Sequence, residues 1–232
     1  MIVDCFTANP IAFEFAKPDN AIKFIPDWWK NTPLSYIPED SFFKRPTLKG
    51  CDGIINNFKH GLVVPMWCDF AIEIGPKGTT HFKYQFGDRL SSLSSHTYKE
   101  FNNYIKEEEI QHIKIHSPWF FSCKENIHWI WTDPKWNSMK VNDYVGLPGI
   151  SSFKYQSNTN INLLFYRGEK TKIVEIKYNS PLVHITPLTD RKLILKHHLV
   201  DQNEIFKLNL AGTNVKFINN VQILKKLRIN KK

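Results

Sequence analysis

Residues 62–86, LVVPMWCDFAIEIGPKGTTHFKYQF, decide the fold class. From Trp67 the side chains alternate: Trp67, Asp69, Ala71 and Glu73 fall on one side, and Cys68, Phe70, Ile72 and Ile74 on the other. Successive residues of a strand point to opposite faces, so this pattern predicts a strand with one buried and one wetter face. The turn Gly75-Pro76-Lys77-Gly78 leads into Thr80–Phe86, and together they predict a β-hairpin.

Further strands are expected on both sides. Ile2–Phe6 and Ala12–Ala16 alternate in the same way, and the first forty residues read as extended pieces. Ile110–Phe121 and Ile127–Thr132 read as a second hairpin joined by Cys123–Asn126. In that register Phe120 faces Trp129, Trp119 faces Ile130, and His128 lies away from His116. Asn160–Tyr166, Thr171–Lys177 and Pro181–Pro187 read as successive strands. Arg191–Leu199 fits helix or strand, and Val221–Leu227 a terminal helix or a frayed tail.

Helices are few. Cys51–Gly61 places Ile54, Ile55 and Phe58 on one face, with Asp52 as N-cap and Gly61 at the left-handed position beyond the end. Ser95–Ile105 is a candidate for a second short helix. The adjacent Trp28 and Trp29 must point in different directions, which suits a segment pinned to the body of the domain. Many short strands with few helices give a mainly β fold, a β-sandwich or jelly roll of the double-stranded β-helix, cupin-like kind. One domain is expected over residues 1–232, with a basic tail from about residue 224.

Composition bounds the setting. The 232 residues are 42% hydrophobic and 23% charged, an ordinary globular balance. Cys5, Cys51, Cys68 and Cys123 form no Cys-x-x-Cys pair, and the N-terminus has no secretory pattern. Reduced thiols are therefore expected, with Cys51, Cys68 and Cys123 as small hydrophobes among apolar neighbours. No apolar run is long enough to span a bilayer, so no membrane partner is expected. The formal charge of +9 favours an anionic partner, though no nucleic-acid-binding motif accompanies it.

A set of motifs carries a resemblance. PDWWKNTP, TLKGCDGI, GLVVPMWCDFAIEI, SPWFF, LPGI and PLVHITPLTDRK occur in this order over roughly residues 24–192. Together they resemble an uncharacterised protein family common in tailed phages of marine bacteria. The family pattern has a Gly-Thr-Pro-Leu strand where this chain has Asn179-Ser180-Pro181-Leu182, and Gln where it has His184. After Ser-Pro-Trp this chain reads Phe-Phe-Ser-Cys rather than a run ending in Gly-Tyr-Ser. The resemblance implies a phage origin and a β-sandwich of double-stranded β-helix type. It implies no reaction and assigns no site residues. The setting it implies is the cytoplasm of an infected host, or the virion.

Candidate sites follow from residue chemistry. Trp67 with Asp69 and Glu73 sets an aromatic beside two carboxylates, as in sugar-binding sites; a solvated face or ion pairs to lysine would give the same pattern. Trp119, Trp129 and Trp131 crowd the second expected hairpin, and exposed indoles stack sugars or bases. Their alternation with His128 and Ile130 fits a core role better. An iron-oxygenase site needs His-x-Asp or His-x-Glu plus a distant His, and none of the nine histidines starts such a motif. His112 and His116 share a strand face with Lys114 between them, a cation that opposes a metal and suits an anion. The expected protein is thus a non-enzymatic binding or structural component without a cofactor, acting on a virion, host or anionic partner. The alternatives are a metal-dependent, cupin-like oxygenase using a divalent metal at His112, His116 and His128, and a basic nucleic-acid-associated protein.

Overall fold

The computed structural model describes residues 1–102, 104–137, 143–154 and 157–210. The chain opens with β1 (Ile2–Thr7), α1 (Pro10–Phe15), β2 (Asp19–Asn20), α2 (Asp27–Asn31), β3 (Ser35–Tyr36) and β4 (Arg45–Pro46). Next come α3 (Asp52–Lys59), β5 (Leu62–Pro65), β6 (Phe70–Ile74), β7 (Phe82–Phe86), β8 (Ser92–Ser95) and β9 (Ile110–Ser122). They are followed by β10 (Trp129–Thr132), β11 (Tyr144–Gly146), β12 (Gly149–Ser151), β13 (Asn158–Tyr166), β14 (Lys172–Ile176), β15 (Pro181–Pro187) and β16 (Ile194–Leu199). Residues 202–210 are helical.

One sheet runs β11-β13-β9-β1-β16, with β8 also paired to β9. A second runs β12-β10-β15-β5-β2, a third β14-β6-β7, and β3 pairs only with β4. Pairing is antiparallel except between β1 and β16, which run parallel with Ile2 opposite Ile194. The first three sheets enclose one apolar core, to which each contributes: Ile113, Trp119 and Phe121; Leu62, Trp129 and Ile185; Phe70, Ile72 and Val174. This is a β-sandwich with a few short helices. Among the described residues no helix is long and apolar enough to cross a membrane.

The long strand β9 organises the first sheet. Ile113, Ile115, Ser117, Trp119 and Phe121 face inward, and His112, Lys114, His116 and Phe120 alternate with them, as the two-residue period requires. One edge meets β8 over Ile113–His116 and β1 over Phe120–Ser122; the other meets β13, whose register shifts between Asn158 and Asn160. Pro118, which has no N–H to give a ladder, sits in the gap between these pairings.

The hairpin β6–β7 forms as expected, with Phe70 opposite Phe86 and Ile74 opposite Phe82. The strand itself starts later. Trp67 and Cys68 are both buried in the link between β5 and β6, so strict alternation holds only from Phe70. The expected hairpin of 110–132 does not form. β10 pairs with β12 and β15 in a different sheet from β9. The two strands meet across the core instead, with Phe153 packed against Phe121 (5.0 Å between ring centroids) and Trp129 (4.7 Å). Alternation specifies which face is buried and leaves the neighbouring strand open. For the same reason β13, β14 and β15 fall in three different sheets rather than side by side.

Of Ala12–Ala16, residues 12–15 are helical and Ala16 is the C-cap, contrary to the extended reading. The Asn9 side chain accepts from the N–H groups of Ile11 and Ala12, both at 3.0 Å, and Pro10 takes the first helical position. In α3 the N-cap is Cys51, not Asp52, and Gly61 lies beyond the end at φ 88°. Cys51 is exposed, unlike Cys5, Cys68 and Cys123, and all four are free thiols. The expected helix at 95–105 shrinks to a 3-10 turn at Tyr98–Phe101, opened by a Thr97–Glu100 capping box and ended by Asn102 at φ 50°. Of Arg191–Leu199, the part Ile194–Leu199 resolves as strand β16. Trp28 turns toward Trp136 and Trp29 toward Phe58, so the pair does pin α2 to the body. The basic tail from about residue 224, with Val221–Leu227, lies outside the described residues.

Candidate functional site

All four tryptophans named as ligand platforms are core residues. Trp67 is buried, with Nε1 donating to Ser91 Oγ at 2.5 Å. Trp119 is buried and donates to the Ala16 carbonyl at 3.1 Å. Trp129 packs on Phe153 with its Nε1 buried and unpaired. Their rings therefore cannot stack a ligand. The expected face of Trp67, Asp69 and Glu73 does not exist, because Trp67 points into the core. Asp69 instead accepts from the Tyr178 N–H at 2.8 Å, and Glu73 faces Lys83 across the hairpin at 4.0 Å.

The histidines divide in the same way. His112 and His116 do share the outer face of β9 with Lys114 between them. His128 is exposed at the entry to β10, in another sheet, and the three are not brought together. Among the described residues no group of three or more His, Cys, Asp or Glu side chains is placed to hold a metal ion. Each β9 histidine is bound instead to an asparagine of β13: His112 Nε2 donates to Asn162 Oδ1 at 3.1 Å, and His116 Nδ1 to Asn160 Oδ1 at 3.0 Å. His112 also stacks on His96 at 4.7 Å and takes the edge of Phe101. Burial first, and then the neighbouring His96, push its pKa down to about 4.

Trp131 is the candidate indole that does border a cavity. It lines a pocket of about 140 Å³ with the 147–151 segment, residues 160–162 of β13, and Val183 of β15. Its Nε1 donates to Ser151 Oγ at 2.7 Å, which fixes the ring in the wall.

A larger concavity lies on another face. Two hollows of about 670 and 350 Å³ share His60, Pro187, Thr189 and Asp190, and so form one groove. Its floor is a joint between α3 and β15. Gly61 is left-handed there, and a Cβ would collide with the Ile185 carbonyl. His184 Nε2 donates to the His60 carbonyl at 2.7 Å, and burial holds the His184 pKa below the ordinary value. Lys23, Lys59, Arg191 and Lys192 line the groove against one carboxylate, Asp190. Lys23 is paired with Asp19 and Arg191 with Glu125. Lys59 and Lys192 have no carboxylate partner within 4.0 Å among the described residues.

Neither Lys59 and Lys192 nor Asn160 and Asn162 stood out in the sequence. The available signal for the groove was the motif set, since TLKGCDGI, GLVVPMW and PLVHITPLTDRK all reach the α3–β15 joint. No protein-family model matches the sequence, and no curated protein is significantly similar to it.

Proposed function

We propose that the chain is a phage-encoded, non-enzymatic binding protein that engages an anionic partner through the groove at the α3–β15 joint. The observation that carries this reading is the groove lining, four cations against one carboxylate, in a chain of net charge +9. Lys59 and Lys192 stand without carboxylate partners at its rim, so an incoming anion need not displace an existing ion pair. The resemblance to a phage family supports the source and gives the infected cell or the virion as the setting. The flexible lysines and the Asn56 and Asn57 amides suit phosphate or carboxylate groups carried on a polymer.

A fluorescein-labelled oligonucleotide and a labelled poly-glutamate chain are suitable polyanion probes, read by fluorescence anisotropy. The Lys59→Glu/Lys192→Glu double variant should weaken binding roughly tenfold or more. For the oligonucleotide it should also reduce the salt dependence of log K by about one to two, as expected when two phosphate contacts are lost. Equal binding by the double variant, or no binding of either probe by the unaltered protein at low salt, would remove the reading.

A further inference from the structure

Residues 33–47 form an arm whose strands β3 and β4 pair only with each other among the described residues. Thr47 closes its base: the N–H donates to the Leu34 carbonyl at 3.1 Å, and Oγ1 donates to the Pro33 carbonyl at 2.5 Å. At the far end the Ser41 N–H donates to the Pro38 carbonyl and the Phe43 N–H to Ser41 Oγ, both at 3.1 Å. Pro33, Pro38 and Pro46 each fix one backbone angle. The arm is therefore shaped before a partner arrives, which lowers the ordering cost of binding.

This frame carries Leu34, Tyr36, Ile37, Phe42 and Phe43, which are between 48% and 100% exposed. At roughly 200 Å² for a whole side chain of this size, they leave on the order of 700 Å² in water. A standard protein–protein interface takes about 800 Å² from each partner.

Charge selects the partner. Glu39 and Asp40 precede the two phenylalanines, Lys44 and Arg45 follow them, and all four are exposed. None of the four has an ion-pair partner within 4.0 Å among the described residues. The arm is thus neutral in a chain of net charge +9. A nucleic acid or an anionic bilayer would be repelled by Glu39 and Asp40. A second arm offers both signs: about a twofold axis, the acidic pair of each copy meets the basic pair of the other. The long-range repulsion between two basic chains is screened at about 0.15 M salt, where the Debye length is about 8 Å.

We infer that the arm is a self-association surface, on which two copies pair about a twofold axis, Phe42 and Phe43 packing against the opposite arm and Glu39 and Asp40 facing its Lys44 and Arg45. No residue of the arm belongs to the apolar core, so each copy folds alone and the dimer dissociates on dilution. The surface is separate from the groove and does not depend on the groove's function.

The test is sedimentation equilibrium of the full chain at about 0.15 M salt, with melting temperatures recorded in dilute solution. The mass should rise toward that of a dimer with Kd on the order of 10–100 µM, as for an interface at the small end of the standard size. Phe42→Ser/Phe43→Ser should weaken association at least tenfold without changing the melting temperature of the dilute protein. Glu39→Lys/Asp40→Lys and Lys44→Glu/Arg45→Glu should each weaken it at least tenfold. An equimolar mixture of these two charge variants should restore a one-to-one dimer, because both contacts are then attractive again. Lys59→Glu/Lys192→Glu should leave the Kd within about twofold, since these lysines line the groove instead. A monomeric mass throughout would overturn the inference, as would association that survives the phenylalanine variant. Failure of the mixture to restore the dimer, or growth past the dimer without closure, would also overturn it.

Discussion

Phe70 and Phe42 are the same side chain in two aromatic segments, with opposite fates. Phe70 is 1% exposed, packed against Phe86 at 4.8 Å in the middle strand of its sheet. Phe42 is 100% exposed and Phe43 is 79% exposed, on the arm between β3 and β4. The difference lies in what surrounds the residue. Phe70 belongs to a strand whose inward positions, Phe70, Ile72 and Ile74, all meet the opposing layer. The arm is held by a two-rung ladder, Ser35 to Pro46 and Tyr36 to Arg45, and among the described residues neither strand joins one of the larger sheets. Burial here is a property of the sheet architecture, and aromatic content alone does not produce it.

Core truncation tests this contrast most strongly. Phe70→Ala should cost roughly 3–5 kcal/mol, from lost transfer energy plus the cavity left behind. Urea or guanidinium denaturation would measure it. A midpoint that hardly moves would place Phe70 outside the cooperative core and erase the distinction from Phe42.

A polar residue should come next, because the core is also tied together by a buried cation. Arg167 is buried with its guanidinium spread over the Glu107, Gly75 and His81 carbonyls and Gln111 Oε1. These bonds join the β13 exit to the β6–β7 turn and to the approach to β9. Arg167→Met keeps much of the apolar stem but leaves those acceptors unpaired, at a cost of roughly 2–4 kcal/mol. Arg167→Lys should recover little of this, because one ammonium cannot reach four acceptors at the guanidinium's geometry. Full recovery by lysine would mean that the charge matters and the hydrogen-bond pattern does not.

A smaller effect should appear with pH. In the folded chain His112 titrates at about 4, against about 6.5 when unfolded. The unfolded chain therefore takes up the proton first, and stability falls as the pH drops from about 6.5 to about 4. Below that range this contribution is already lost. Screening by solvent around His96 and Lys114 reduces the effect to roughly 1–2 kcal/mol. His184 and His197, both held low by burial, act in the same direction. Melting temperatures recorded across this interval should fall less steeply for His112→Gln than for the unaltered chain. An identical slope would show that burial beside His96 does not hold His112 neutral.

These contrasts explain what could be read from the residues beforehand. β1, β6 and β9 were legible because alternation reports a buried face, β15 as a short apolar run between prolines, and the β6–β7 hairpin because a Gly-Pro turn separates its strands. The β9–β10 relation was not legible: Phe121 and Trp129 both point inward, which fits neighbours in one sheet and partners across the core equally well. The helix α1 was missed because the alternation of Ala12–Ala16 outweighed the Asn9-Pro10 cap that starts it. Asn160 and Asn162, the partners of the β9 histidines, showed no pattern, since an asparagine on a strand's outer face has no periodic signature. The groove was hidden for another reason. Lys23, Lys59 and Lys192 come from three segments far apart in the chain, brought together only by the α3–β15 joint.

The smallest effect should come from the arm. Phe42→Ser and Phe43→Ser remove rings that are already in water in the folded chain, so folding buries almost none of the area they lose. At roughly 25 cal/mol for each Å² of apolar surface removed from water, unchanged burial means an unchanged folding free energy. Each substitution should stay within about 0.5 kcal/mol, as expected for exposed positions away from caps and turns. Solubility should rise, since two adjacent phenylalanines, exposed on the same arm as exposed Leu34 and Ile37, favour association. Denaturation midpoints and concentration-dependent light scattering would report the two quantities separately. A loss of stability near that of Phe70→Ala would mean that the arm folds back onto the domain in solution, and the contrast between the two regions would fail at its exposed end.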